Sequence, residues 1–434
     1  MAVPARRLAL GLGVLALAVS ACAPAASVEF QTVVPSEQSR ATISALPSGD
    51  RKVDPSQRIT VTATEGQLAT VTVMGPKGPL AGELSADGST WTAKRAGLAF
   101  GSTYTVEATA IDPRGVATTQ SDAFRTVEPK AFFEASVQPS SGTTVGIGMP
   151  ITLTFDHAVN NKEEVERALV VYTPTPIEGA WSWTGDTVAR FRPKKYWPGD
   201  IDVSVAMNLK GVRAAKGVFG DRNRLSTFHI GSAMVIKVDA ASHQAKIIQD
   251  GKKVRTIPVT TGKAGFETRS GNLIIISKEP TRIMDAATGG TDPNDPEYYR
   301  LEVEYAMRIT YSGEFLHAAP WSVGSQGYAN VSHGCIGMST SNAQWLFGEA
   351  KLGDPVEITG TSVPQTLGNG VTVWTSTWDE WLADSATGAV TTQVPEPTTV
   401  PGSTPEAVTE APGPDPVPAV TGDTPVAQQA SYGR

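Results

Sequence analysis

The chain of 434 residues holds two cysteines and five histidines, and one cysteine and two histidines fall within a single short stretch. Cys335 closes the run Ser332-His333-Gly334-Cys335, and His317 stands eighteen positions before it. A thiol of ordinary pKa is mostly protonated near neutral pH and attacks slowly. It becomes a nucleophile when an imidazole takes its proton or stabilises the thiolate. A free cysteine is more often buried and inert. Cys335 differs from that default in the glycine before it, which lets the backbone turn tightly and leaves amides free, and in the two nearby histidines. Amides of His333, Gly334 and Cys335 would then face the oxyanion formed when the thiolate adds to an amide carbonyl. No acidic residue neighbours His317, so a backbone carbonyl is expected to orient its ring. The chemistry these residues could do is attack of a thiolate on an amide carbonyl. A metal site built from His317, His333 and Cys335 would lack a fourth ligand.

A His, a spacer and then Ser-His-Gly-Cys resembles the signature of the L,D-transpeptidases, bacterial cell-wall enzymes. The runs His317-Ala318-Ala319-Pro320-Trp321-Ser322-Val323-Gly324 and Ser341-Asn342-Ala343-Gln344-Trp345 are similar to those of the family's multidomain, envelope-anchored members. The likeness covers roughly residues 30 to 384. After the cysteine the family usually has an apolar residue and then Asn or Arg, where this chain has Ile336-Gly337. The resemblance implies that Cys335 is the nucleophile and His317 its base, with the carbonyl of Ala318 orienting His317. It also implies substrate contacts from Met284, Tyr299, Ser332, Ala318 and Trp321, the first two on a flap over the cleft. His333 keeps three open roles: lining the acceptor side, donating to the oxyanion, or packing behind the site. The implied donor is a tetrapeptide stem of peptidoglycan, attacked at its third residue's carbonyl with loss of the terminal D-Ala. The implied acceptor is an amine on a neighbouring stem's third residue. Carbapenems would acylate the same thiol, and no cofactor or metal is implied. Hydrolysis of the same acyl-enzyme would make an L,D-carboxypeptidase. A catalytically silent wall-binding lipoprotein is the alternative from a different class.

The elements that must position these residues read as strands. Met234–Val238 and Ala245–Val254 alternate apolar and polar residues, with a hairpin turn at Asp250-Gly251. Val254–Thr260 and Asn272–Ser277 continue the pattern, and Arg308–Tyr311 with Glu314–His317 form a strand pair about Ser312-Gly313, so that His317 ends a strand. The stretch from Ile283 to Tyr305, rich in Gly, Asp, Pro and Tyr, is long for a connection and reads as a substrate flap. Beyond the cysteine, Ser339-Thr340-Ser341 offers N-caps to a short helix ending near Lys351, and Asp354–Ile358 gives a closing strand. The spacing of Trp374, Trp378 and Trp381 predicts a helical stripe over a 361–384 extension packed on the catalytic domain of residues 233–360.

Upstream, Arg6 and Arg7 precede an apolar run from Leu8 to Val19, too short to span a bilayer and suited to a signal peptide over residues 1–21. Val19-Ser20-Ala21-Cys22 resembles a lipobox, which would leave Cys22 lipidated and the protein anchored on the outer face of the membrane. An ordinary cleavage near Ala21 is the plainer alternative. Residues 22–55 read as a flexible linker, and 385–434, rich in Pro, Thr, Ala and Glu, as a disordered tail. Between them, period-two runs and turn signals predict two immunoglobulin-like sandwiches at 56–128 and 129–232, with Gly101 and Gly199 repeating at 98 residues and a tyrosine corner at Tyr104. Trp91, Trp181, Trp183 and Trp197 are expected to pack their cores. The fold class is therefore mainly β, ending in a β-rich catalytic domain with one short helix after the cysteine. A net charge of −7 with no large basic cluster gives a nucleic-acid partner nothing to stand on and is compatible with the partners that the resemblance and the lipobox-like run imply, peptidoglycan stems and the membrane.

Overall fold

The computed structural model describes residues 37–47, 52–94 and 97–395. Cys22, its flanking signal segment and residues 396–434 lie outside the described residues. The chain is mainly β. Its first sandwich pairs a sheet of strands Thr42–Leu46, Thr60–Thr64, Thr90–Ala93 and Gly82–Leu84 with a second built around Gln67–Gly75, Thr103–Ile111 and Ala117–Thr126. The sequence alternation has its cause here: Val61, Val73, Trp91, Val106 and Phe124 point inward on successive strands. Tyr104 makes the expected corner, its hydroxyl accepting a hydrogen bond from the Ala99 amide at 2.8 Å. The expected linker is overturned from Thr42 onward, because that strand pairs antiparallel with Thr60–Thr64.

The second sandwich is built from a sheet running Ala135–Gln138, Ile151–Phe155, Val188–Pro193, Glu178–Thr184 and, at its edge, Val390–Thr391. The facing sheet contains Thr144–Val145, Arg224–Ile230, Ile201–Met207 and Leu169–Tyr172. Trp181, Trp183 and Trp197 are buried in this core, and Trp91 in the first, so all four expected core tryptophans pack inside. The edge strand corrects the sequence reading, which began a disordered tail at Ser385. Residues 385–388 fold over Glu166, whose buried carboxylate accepts from the amides of Ala386 (2.8 Å) and Thr387 (2.9 Å), from two hydroxyls and from Trp183 Nε1. The acceptor, distant in sequence, gives this tail a place to fold that its composition does not announce.

A second correction concerns the tryptophan stripe. The first part of the 361–384 extension does pack on the catalytic domain, Val363, Gln365 and Asn369 bonding to Ser270 and Ser312, but the helix Trp378–Ala383, which starts with a capping box between Thr377 and Glu380, docks on the second sandwich. Trp381 Nε1 donates to Ala180 O at 3.0 Å and Trp374 Nε1 to Gly148 O at 2.7 Å. Buried Arg192 sits among the rings of Trp374, Trp378 and Trp381 at 4.9–5.2 Å, and burial lowers its pKa to about 10. The guanidinium asks for π-faces because it is buried without a carboxylate partner among the described residues.

The catalytic domain stacks two sheets on one core. One runs Lys252–Pro258, Gln244–Gln249, Met234–Asp239, Pro355–Thr359, Gly271–Ile274. Its Asp250-Gly251 turn has positive φ at both residues, as a tight hairpin with the right twist requires. The other runs Ser277–Asp285, Arg300–Arg308, Phe315–Ala318, Ile336–Met338. The helix Thr340–Glu349 starts from Ser339, whose hydroxyl accepts from the Asn342 amide, and buries Ala343 and Leu346. The stretch expected as an irregular flap is ordered hairpin at its two ends, since Ser277–Asp285 and Arg300–Arg308 pair along their length. Only 286–299 forms the connecting loop, beginning with a 3-10 turn at Ala286–Gly289. At the junction with the second sandwich, Gly146 and Gly148 donate to the carbonyls of Leu352 (2.7 Å) and Gly353 (2.9 Å). Among the described residues no helix is long and apolar enough to cross a membrane.

Candidate active site

Strands Phe315–Ala318 and Ile336–Met338 pair in parallel, with His317 opposite Gly337. Residues two apart on a strand share a face, so Cys335, two before Gly337, falls on the same side as His317. Both side chains line one cavity of about 180 Å³, with Met284, Tyr299, Leu301, Trp321, Ser332, His333, Thr260 and Gly337 among its other walls. Five separated sequence segments, around residues 260, 284, 299–301, 317–321 and 331–337, thereby converge on one cavity. Ala318 and Gly334 are not on the cavity wall. Ala318 acts through its carbonyl, which accepts from His317 Nδ1 at 2.7 Å. That bond assigns the tautomer: Nδ1 carries the proton and Nε2 the lone pair. Burial lowers the His317 pKa, which favours the neutral base.

Cys335 is buried, and burial pushes its thiol up to about 12, against a hydrogen bond from the Phe315 amide and the attraction of Arg308. Its Sγ lies 3.7 Å from the Gly313 carbonyl and 4.0 Å from Met284 Sδ. Burial thus favours the neutral form of both groups, a thiol and an imidazole that face one cavity. Gly334 has φ of +115°, the left-handed side that favours glycine, which is why this residue type precedes the thiol. Its amide donates to Ser332 Oγ at 3.2 Å, and Ser332 Oγ donates in turn to Cys335 O at 2.6 Å. Its carbonyl accepts from Thr268 Oγ1 at 2.7 Å. The expectation of three free amides is thus reduced, since that of Gly334 is already engaged.

Two charged residues that sequence reasoning missed hold the flap. Glu297 Oε2 accepts from Lys263 Nζ at 2.6 Å and from His333 Nε2 at 2.6 Å. These two bonds, Lys263 first, hold the Glu297 carboxyl below its usual range. His333 is also packed by the rings of Phe266 (4.7 Å) and Tyr299 (4.9 Å). His333 is the point where flap, thiol loop and the 261–270 segment meet. No local spacing could have revealed Glu297, because its partners lie 34 and 36 residues away. Gly337 is a close-approach position: it exchanges two backbone hydrogen bonds with Thr260 at 2.9 Å, and a Cβ there would stand 2.9 Å from Ala319 Cβ and 3.0 Å from Thr260 Cγ2. Among the described residues no group of three or more His, Cys, Asp or Glu is placed to hold a metal.

Residues 233–358 match the L,D-transpeptidase catalytic domain family, and residues 50–213 match the bacterial Ig domain family. L,D-transpeptidase 2 of Mycobacterium tuberculosis is 38% identical over 330 residues, 76% of this chain and 80% of that protein. The chain belongs to the L,D-transpeptidase family. L,D-transpeptidase 5 of the same organism is 32% identical over 387 residues, 87% of this chain and 84% of its own. A solved structure of the L,D-transpeptidase LdtMt1 in complex with imipenem is 38% identical, covers 52% of this chain and 98% of that one, and superposes with a TM-score of 0.45. The family makes the protein a transpeptidase with an immunoglobulin-like arm.

Proposed function

We propose that the protein is a peptidoglycan L,D-transpeptidase in which Cys335 is the nucleophile and His317 its base. The observation that carries the reading is that Cys335, just before the strand Ile336–Met338, and His317, on its parallel partner, line one cavity, with Nδ1 tied to Ala318 O and Nε2 left as acceptor. On binding a tetrapeptide stem, the thiol proton passes to His317 Nε2 as Sγ attacks the carbonyl of the third residue. The amides of His333 and Cys335 are the candidate donors to the oxyanion, each such donor being worth about 2.7–4 kcal/mol elsewhere. Collapse breaks the bond to the terminal D-Ala, whose leaving amine takes the proton from His317, and leaves a thioester. The third-residue amine of a neighbouring stem then attacks, gives its proton to His317, and restores the thiol. Met284, Tyr299 and Trp321 hold the stem in the cleft, and Ser332 acts through the loop it braces.

The same reading places the enzyme at the cell wall, tethered through a lipidated Cys22 with the sandwiches as spacer, and makes the thiol a target for carbapenems. Intact mass of the protein incubated with a tetrapeptide donor tests it. An adduct equal to the donor minus D-Ala, absent in Cys335→Ala, is expected. No adduct and no released D-Ala from folded protein would refute it. Product analysis with an acceptor present separates transfer from hydrolysis.

A further inference from the structure

The loop 320–331 leaves the cleft at Trp321 and re-enters it at Val331, both of which line the cavity. Between those points the backbone is tied down. Ser322 Oγ and Gln326 Nε2 both donate to Ala319 O (3.1 and 2.9 Å), Gly327 N donates to Val259 O (2.9 Å), and Thr260 Oγ1 to Ala329 O (2.9 Å). Asn330 bridges to the Ala240 carbonyl and the Thr261 amide (2.9 and 3.1 Å). A loop held at so many points loses little further freedom when something binds it.

What this rigid loop turns outward is apolar. Trp321 is 59% exposed, Val323 52%, Tyr328 83% and Val331 42%. They are four of the sixteen large apolar side chains left exposed among the described residues, and Tyr328 is the most exposed of all. Four exposed apolar side chains on one tied-down loop at the rim of the cleft suit a contact surface. No Asp, Glu, Lys or Arg occurs anywhere from Phe315 to Gly348, so the loop brings no charge of its own, and the neighbouring Lys263 and Glu297 pair with each other beside His333. Uncharged and aromatic, bearing a phenol hydroxyl, it suits the face of a sugar ring, whose C–H groups pack on an aromatic face while its hydroxyls stay wet. In the polymer substrate proposed above, the stem in the cleft is covalently joined to a glycan strand, which must leave the cleft across an adjoining surface.

We infer that the 320–331 loop is a saccharide subsite, in which Tyr328 stacks on a ring of the glycan strand bearing the stem bound at Cys335. This inference rests on the transpeptidase reading, and the test separates the two. Donor kinetics are measured with a free tetrapeptide and with the same tetrapeptide on its disaccharide, for the parent, Tyr328→Ala and Tyr328→Phe. The parent should favour the disaccharide-linked donor. Tyr328→Ala should raise its KM about three- to tenfold, leaving kcat and both constants for the free tetrapeptide unchanged, and Tyr328→Phe should restore it. Equal constants for the two donors in the parent, or an equal loss on both in Tyr328→Ala, would overturn the subsite. Binding of a peptide-free β-1,4-linked N-acetylglucosamine tetramer, followed by saturation-transfer NMR, is read independently. It should weaken in Tyr328→Ala, and absence of binding to the parent removes the subsite. No turnover of either donor by the parent would instead remove the acyl-transfer reading while the tetramer experiment still decides the loop.

Discussion

A buried thiol pushed up to about 12 beside a neutral imidazole should behave differently from a preformed thiolate, and alkylation as a function of pH shows the difference. Three units above the ordinary value of 9.0, the thiolate is about a thousandfold rarer than in a free cysteine at neutral pH, equivalent to about 4 kcal/mol. A thiolate of higher pKa is also intrinsically more reactive, with a Brønsted slope of about 0.4–0.5, which returns a factor of about 20. The net expectation is alkylation about 50-fold slower than that of an exposed thiol, before any steric hindrance. Burial slows the reagent at every pH, so the slope decides. Iodoacetamide labelling of Cys335, followed by intact mass from about pH 6 to 9.5, should rise close to tenfold per pH unit without a plateau. His317→Ala should leave that slope unchanged while lowering turnover about 10²–10⁴-fold, because the imidazole acts as base only once substrate is present. A plateau setting in below pH 7 and abolished by His317→Ala would show a resting thiolate–imidazolium pair and refute the neutral-pair mechanism.

Three other perturbations have defined outcomes. Gly337→Ala places a methyl 2.9 Å from Ala319 Cβ and should cost about 1–3 kcal/mol of stability, read by denaturant melts, with turnover falling as the strand shifts; an unchanged midpoint would show that Thr260 and Ala319 yield freely. Burial raises the Asp354 pKa from 3.8 to about 7, against the Lys351 amide and the charges of Lys351 and Lys278. Because the folded value is the higher one, its contribution to stability is complete below pH 3.8 and is lost as pH rises through 7, so Asp354→Asn should flatten Tm between pH 5 and 8 and gain at most about 4 kcal/mol above pH 7. Glu297→Gln should loosen the flap, seen as faster hydrogen exchange over 286–299 and a higher donor KM at unchanged kcat; unaltered exchange would show that Lys263 and His333 do not hold it.

The thiol, its histidine and the strands that carry them were legible because the signals are local: period-two alternation, an Asp-Gly turn, a glycine where only a left-handed backbone serves. What covers an apolar stripe is not a local property. Trp374, Trp378 and Trp381 announce a face to be buried, but nothing in their spacing says that Ala180 and Arg192, nearly 200 residues earlier, supply the partner. The first strand, Thr42-Ile43-Ser44-Ala45-Leu46, alternates as its neighbours do, but it turns only Ile43 and the small Ala45 inward and leaves Leu46 exposed, so its apolar signal is weak. Glu297 and Lys263 read as ordinary surface charges until the flap folds over His333. The close approach of Thr260 and Ala319 to Gly337 likewise becomes visible only when three strands meet.

The edge position of Val390–Thr391 bears on how the chain avoids sticking to its own kind. Until those residues emerge from the ribosome, Glu178–Thr184 is the outermost strand of a twisted sheet, with unpaired amides and carbonyls and a tryptophan-rich sequence, the kind of border that recruits strands from other chains. Residues 233–360 are synthesised in that interval. Closure by Val390–Thr391 therefore makes synthesis through residue 391 the condition for a covered edge, so that a chain nicked or terminated soon after residue 360 would keep Cys335 and His317 and yet carry an adhesive edge.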